Sequence, residues 1–212
     1  MPDRYPGYDV LSKRNTPSWN EKTRAVIDRR LSLPRTPRFF SEPEFATVEA
    51  IAAQIVPQPK HRPPIPVAAL VDDKLFEDVQ DGYRFTGLPR DRQAWRRGLL
   101  ALNAEAEAAH QQSFRFLTGP QQHELLKRME QGDLKSDAWG DMPPKVFWKQ
   151  RLLADIVHAY WSHPTAWSEI GWGGPASPRG YVRMGYDERD PWEAAEAHDD
   201  PDYARRKNRH VG

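Results

Sequence analysis

The chain has 212 residues, 38% of them hydrophobic, with 29% charged residues, 20 prolines and a formal net charge of +1. That length can fill one domain, but the proline and charge content leaves less core than the length suggests, so the composition predicts one domain with long extensions. Cysteine is absent, which excludes a disulfide framework, a thiol nucleophile, Cys-ligated zinc and an iron-sulfur cluster on this chain.

No stretch approaches the roughly 20 apolar residues of a bilayer span, and no apolar run follows the charges near the N-terminus. Arg29-Arg30 is followed by Pro34, Arg35, Pro37 and Arg38 where a twin-arginine export signal needs an apolar segment. A cytoplasmic location is therefore favoured, and a periplasmic one only if the chain is exported with a partner. Charge is uneven: residues 1–40 carry nine Lys/Arg against four Asp/Glu, and residues 41–81 carry three against eight. This split favours an arm that folds back on the acidic segment, or a protein partner meeting both. The uniform basicity of a nucleic-acid binder is missing, so no nucleic-acid partner is expected.

Along the chain, Pro6 and Gly7 break a polar start, which places Tyr5 and Tyr8 in an extended arm. Ser18-Trp19-Asn20-Glu21 has capping-box spacing and predicts a short basic helix to about Leu31, with Val26, Ile27 and Leu31 as its aliphatic anchors. Phe40-Ser41-Glu42-Pro43-Glu44-Phe45 is the sharpest local signal: Ser41 and Glu44 form a capping box, and Phe40 and Phe45 occupy the staple positions. Phe45, Val48, Ile51, Ala52 and Ile55 then recur at helical spacing until Pro57 and Pro59, and residues 60–66 form a proline-rich connection.

A further helix is predicted over Pro66 to Val79, with Asp72, Asp73, Glu77 and Asp78 as a solvated or partner-facing acidic side. Another runs from about Asp91 to Ala109, with Trp95, Leu99, Leu102 and Ala106 inward and Gly98 admitting close approach of a neighbour. Thr118-Gly119-Pro120 starts a fourth core helix ending at Gly132, and a broad apolar helix follows Pro143-Pro144, with Phe147, Tyr160 and Trp161 assigned to the core. No β-branched run alternates at period two. The fold class is all-α: a single compact bundle of about five to six helices, with an N-terminal arm over 1–38, a helical core over 39–163 and an irregular tail over 164–212.

Sites of chemistry are few. His158 and His163 are five residues apart, which separates them around a helix, and His110 and His123 fall on separate helices. A helix-end histidine satisfied by the backbone is the simpler reading, and no metal site is expected. Gly171-Trp172-Gly173-Gly174 follows a helix and lacks the strand that a phosphate loop requires. Catalytic and cofactor-binding residues are therefore expected to be absent from this chain. A stand-alone helical metalloenzyme using His158 with His110 or His123, and a helical nucleic-acid or protein interaction module, are the competing readings.

The aromatics stand out instead. Large aromatic surface in a segment too rich in Gly and Pro to form a layered core points to burial against a scaffold or a partner. Candidate partner-binding residues are Trp167, Trp172, Tyr181, Tyr186 and Trp192 of the tail, with Tyr5, Tyr8 and Trp19 of the arm.

Taken together, Phe40 with the run from Phe45 to Pro57, Phe114-Arg115-Phe116-Leu117 before Gln121 and Leu125-Leu126, Phe147-Trp148 with Tyr160-Trp161 and Pro164, and the Gly171 to Tyr181 segment make a pattern. It resembles the gluconate 2-dehydrogenase subunit 3 family, the small subunit of bacterial FAD-dependent sugar and sugar-acid dehydrogenases. The resemblance implies a mostly helical chain without a cofactor of its own. It also implies a large flavoprotein partner of the glucose-methanol-choline type, which holds FAD, oxidises a sugar hydroxyl and often passes electrons to a cytochrome. In some such systems the small subunit carries the export signal, and this chain departs from that pattern.

Overall fold

A computed structural model describes residues 3–78, 82, 85–177, 179–181, 185 and 190–211. Among these the chain is all-α, as the periodicity predicts, and its sole β feature is an isolated bridge between Trp19 and Ser177. After a 3-10 turn at Val10–Asn15 come α1 (Glu21–Leu31), α2 (Glu42–Ile55), α3 (Val67–Phe76), α4 (Asp91–His110) and α5 (Gly119–Gln131). A continuous helical stretch follows, made of α6 (Pro144–Phe147), a π-helical turn (Trp148–Leu152) and α7 (Leu153–Trp161). Short helices α8 (Pro164–Glu169) and α9 (Pro201–Asn208) lie in the segment expected to be irregular. Among the described residues, no helix is long and apolar enough to cross a membrane.

The chain divides into two compact units. One comprises Pro34–Gln58 and Pro66–Ala159, and the other comprises Met1–Leu33, Pro59–Ile65 and Tyr160–Gly212. The expected arm and tail thus belong to a common unit, where the sequence suggested separate extensions of one core.

In the unit that holds α2 to α6, local signals set the helix ends. Ser41 and Glu44 close the capping box, Pro43 sits in the first turn, and Phe40 and Phe45 are both buried as the staple requires. Thr118 and Gln121 form a second box at α5, and Gly132 ends that helix in the left-handed conformation at φ 87°. A chain of edge-on aromatic contacts fills the core: Phe40 to Trp95 at 5.7 Å, Trp95 to Phe147 at 6.0 Å, and a tilted Trp139 to Phe147 contact at 5.9 Å. Gly98 admits the Phe147 ring, whose Cζ lies 2.2 Å from where a Cβ would stand.

Buried charge in this unit is matched by partners. Asp155 accepts from the Trp95 indole at 2.8 Å and from Lys74 Nζ at 2.9 Å, while Arg151 on the π turn pairs with Asp91. Asp72 corrects the expectation of a solvated acidic face. Its buried carboxylate accepts the backbone N–H groups of Arg38, Phe39 and Phe40 at 2.7, 3.0 and 2.8 Å, and so ties down the segment that leads into α2. Arg38 also pairs with Asp73 and Glu77, which joins the basic segment to the acidic one. Two apolar assignments fail as well: Trp161 is exposed, and of the α1 anchors only Ile27 is buried.

Candidate functional site

The candidate site lies wholly in the unit formed by the two ends of the chain, and α8 begins it. His163 caps this helix, its Nδ1 accepting the Thr165 N–H at 3.2 Å. Burial, reinforced by the charge of Arg30, lowers the His163 pKa to about 4, which keeps the ring neutral and able to accept. This is the backbone-satisfied histidine that the sequence suggests. Among the described residues, no three His, Asp or Glu side chains converge as a metal-binding group.

Helix α8 ends in a Schellman motif. Gly171 takes the left-handed conformation at φ 68°, Trp172 N–H donates to Trp167 C=O at 2.9 Å and Gly171 N–H donates to Ser168 C=O at 3.4 Å. The apolar contact that accompanies such a motif is present here as an edge-on Trp167 to Trp172 pair with centroids 4.9 Å apart. A glycine flanked by tryptophans at this spacing was the signal available in sequence. It turns Trp172 outward from a fixed point.

The glycines after it permit three close approaches. A Cβ at Gly171 would stand 2.5 Å from the Tyr5 ring, one at Gly173 2.8 Å from Lys13 Nζ, and one at Gly174 3.2 Å from both the Trp167 ring and Val10. Tyr181 Oη donates to Gly174 C=O at 3.1 Å, and Tyr8 Oη donates to Trp172 C=O at 3.4 Å. Segment 59–65 contributes Arg62, which donates to the carbonyls of Tyr5 and Tyr8 and pairs with Asp3. The glycine-rich loop is therefore shaped by the N-terminal arm lying against it.

The eight aromatic candidates separate accordingly. Tyr8, Trp19 and Trp167 are buried in a core with Val10, Ile27, Ala194 and Val211, so they serve this chain's own packing and present no surface to a partner. Neither arm nor tail has enough apolar residues alone to form a core; together they do. Trp172 is 41% exposed and Tyr181 is 68% exposed. Tyr5 and Trp192 are half-buried, and Tyr186 lies outside the described residues.

Tyr5, Trp172, Tyr181 and Trp192 are brought together on the lining of one cleft of about 280 Å³, with Lys13, Arg179, Asp190 and Glu193. Arg179 stacks over the Trp192 ring at 3.9 Å and donates from Nε to Ser18 Oγ at 3.0 Å. Ser18 does not cap α1; the helix begins at Glu21 and Asn20 caps it, accepting the Thr23 N–H at 2.9 Å. Burial, and then the charge of Arg179, lowers the Lys13 pKa to about 8. No pattern in the sequence marks Lys13 or Arg179, because the contacts that matter join residues far apart in the chain.

Comparison with known families gives a match to the model described as gluconate 2-dehydrogenase subunit 3 over residues 42–174, more than half of the chain. No curated protein and no solved structure matches.

Proposed function

The chain belongs to the gluconate 2-dehydrogenase subunit 3 family, and on that basis we propose that it is a non-catalytic small subunit that binds and stabilises a large dehydrogenase subunit. In this reading the large subunit is of the glucose-methanol-choline type, carries the FAD and oxidises a sugar or sugar acid, with a cytochrome as the onward electron acceptor. The family match over residues 42–174 is the observation that carries it. The exposed rings of Trp172 and Tyr181 support it, since aromatic rings held on a fixed backbone are the usual anchors of an interface. Tyr181 is the cleaner probe of docking, because it is the more exposed ring and Trp172 already packs edge-on against Trp167 within the chain.

Affinity purification of the tagged full chain from its native host tests this reading. A flavoprotein recovered in stoichiometric amount, with flavin absorbance and dye-linked sugar oxidation residing in it, is the expected result. Recovery of the chain alone refutes the subunit role, and flavin absorbance or sugar oxidation by the separated chain refutes the non-catalytic one. With the complex in hand, Tyr181→Ala is expected to weaken association by roughly 30-fold, about 2 kcal/mol, while leaving the melting of the separated chain nearly unchanged.

A further inference from the structure

The 3-10 turn Phe114–Phe116 belongs to the unit that holds α2 to α6, and its backbone is fixed from several sides. Phe114 and Leu117 are buried, which pins both ends of the run in the core. The Phe114 N–H donates to Asn103 Oδ1 on α4 at 3.0 Å, and the Phe114 C=O accepts from the buried Gln122 side chain on α5 at 3.1 Å. Gln122 Oε1 in turn accepts from Gln54 of α2 at 3.1 Å, so three helices hold one short turn. Phe116, between the buried residues, is 65% exposed. Leu100, on α4 one turn before Asn103, is as exposed. The Arg115 guanidinium lies over the Phe116 ring at 4.5 Å, and among the described residues Arg115 has no ion pair. Glu107, the acid nearest to it in sequence, accepts the Ser113 hydroxyl at 3.1 Å. A ring displayed on an immobile backbone loses little further freedom on binding, and a guanidinium stacked on it offers its donors in a set direction.

We propose that Phe116 and Arg115 anchor the large dehydrogenase subunit on this unit, the ring entering an apolar pocket on that subunit and the guanidinium pairing with a carboxylate at the pocket's rim. The inference rests on the subunit reading above and adds to it an anchor independent of Tyr181. Unlike Tyr181, this turn lies inside residues 42–174, the part of the chain that matches the family model. Charge selects the occupant. A second copy of the chain meeting this surface across a two-fold axis would set Arg115 against its own counterpart, and like charges in such a contact repel. A lipid surface gains only about 1 kcal/mol from a single cation, too little to hold one ring in place. A protein pocket with an acidic rim satisfies the ring and the cation together.

The test takes the complex from the native host, separates the full chain from its large subunit, recombines them, and reads the dissociation constant by biolayer interferometry at low and high salt. Phe116→Ala is expected to weaken association at least ~10-fold, and Arg115→Gln by roughly 3- to 10-fold with a shallower salt dependence. Arg115→Glu should bind more weakly than Arg115→Gln, because it sets a negative charge against the partner's carboxylate. The separated variants should melt within about 2 °C of the parent, since neither side chain belongs to the core. A parent chain that binds its large subunit while Phe116→Ala and Arg115→Gln bind as tightly would overturn this surface and leave the subunit reading standing. Failure to recover any large subunit would overturn both. Self-association of the parent that Phe116→Ala abolishes would assign the surface to a second copy, and tighter binding by Arg115→Glu would contradict the acidic rim; either result overturns the proposal.

Discussion

Gly98→Ala sets two effects of opposite sign against each other. Replacing a helical glycine by alanine raises helix propensity, which by itself would stabilise α4 by about 1 kcal/mol. Against this, the new Cβ would lie 2.2, 2.4 and 2.7 Å from three carbons of the Phe147 ring. Carbon atoms rest at about 3.5–4.0 Å, so the ring must retreat by more than about 1 Å. It has nowhere to go, being fully buried and held by Trp95 and Trp139 at 6.0 and 5.9 Å. Overpacking of this kind costs about 1–3 kcal/mol and reaches the upper end where neighbours are also buried rings. The net expectation is a loss of about 1–2 kcal/mol, which lowers the melting temperature by about 2–8 °C for a chain of this size. Urea and thermal unfolding followed by circular dichroism measure it. The same substitution in a Phe147→Leu background should be less harmful by about 1 kcal/mol or more, because the clashing ring atoms are gone. A Gly98→Ala variant that is more stable than the parent, or strict additivity in the double mutant, would refute the packing argument.

Acid sensitivity should trace in part to His163, where the unfolded imidazole takes its proton near pH 6.5 and the folded one near pH 4, so stability falls as the pH drops through that window. His163→Asn keeps a good helix cap without a titrating group, and the difference in unfolding free energy between pH 7 and pH 5 should shrink relative to the parent; an unchanged difference would count against this assignment. Asp72→Ala strips the acceptor from three backbone N–H groups and is expected to destabilise by about 3 kcal/mol or more in urea melts. Asp72→Asn, which can keep Oδ1 for Phe39 and Phe40, should lose clearly less.

What the sequence reveals and what it hides follow from the range of the interactions involved. Ser41 with Glu44, Thr118 with Gln121, and Gly132 each act over three or four residues, and all three mark helix ends where the sequence places them. Gly98 was legible for a related reason: a glycine inside an otherwise regular helix implies a neighbour, though not which one. Ser18 shows the limit. Its spacing to Glu21 satisfies the capping rule, yet Asn20 caps the helix, and the Ser18 hydroxyl accepts from Arg179, 161 residues away.

The same limit applies to the aromatic tail, and it matters more there. Aromatic and glycine content correctly signals a surface that must be covered, but composition cannot tell which ring is covered by the chain itself. That decision is made by Tyr5, Tyr8, Val10 and Lys13, which reach the Gly171–Gly174 loop across more than 150 residues of sequence. Gly171, which meets the Tyr5 ring, is a position where a side chain would push the arm away. A loop with alanine at Gly171 would keep Trp167 and Trp172 and still disturb the cleft, because the Tyr5 ring could no longer lie against it, whereas at Gly173 only the end of the Lys13 side chain would have to shift. Of the tail's two features the tryptophans were the easier to notice, but it is the glycines that let the two ends of the chain build one surface.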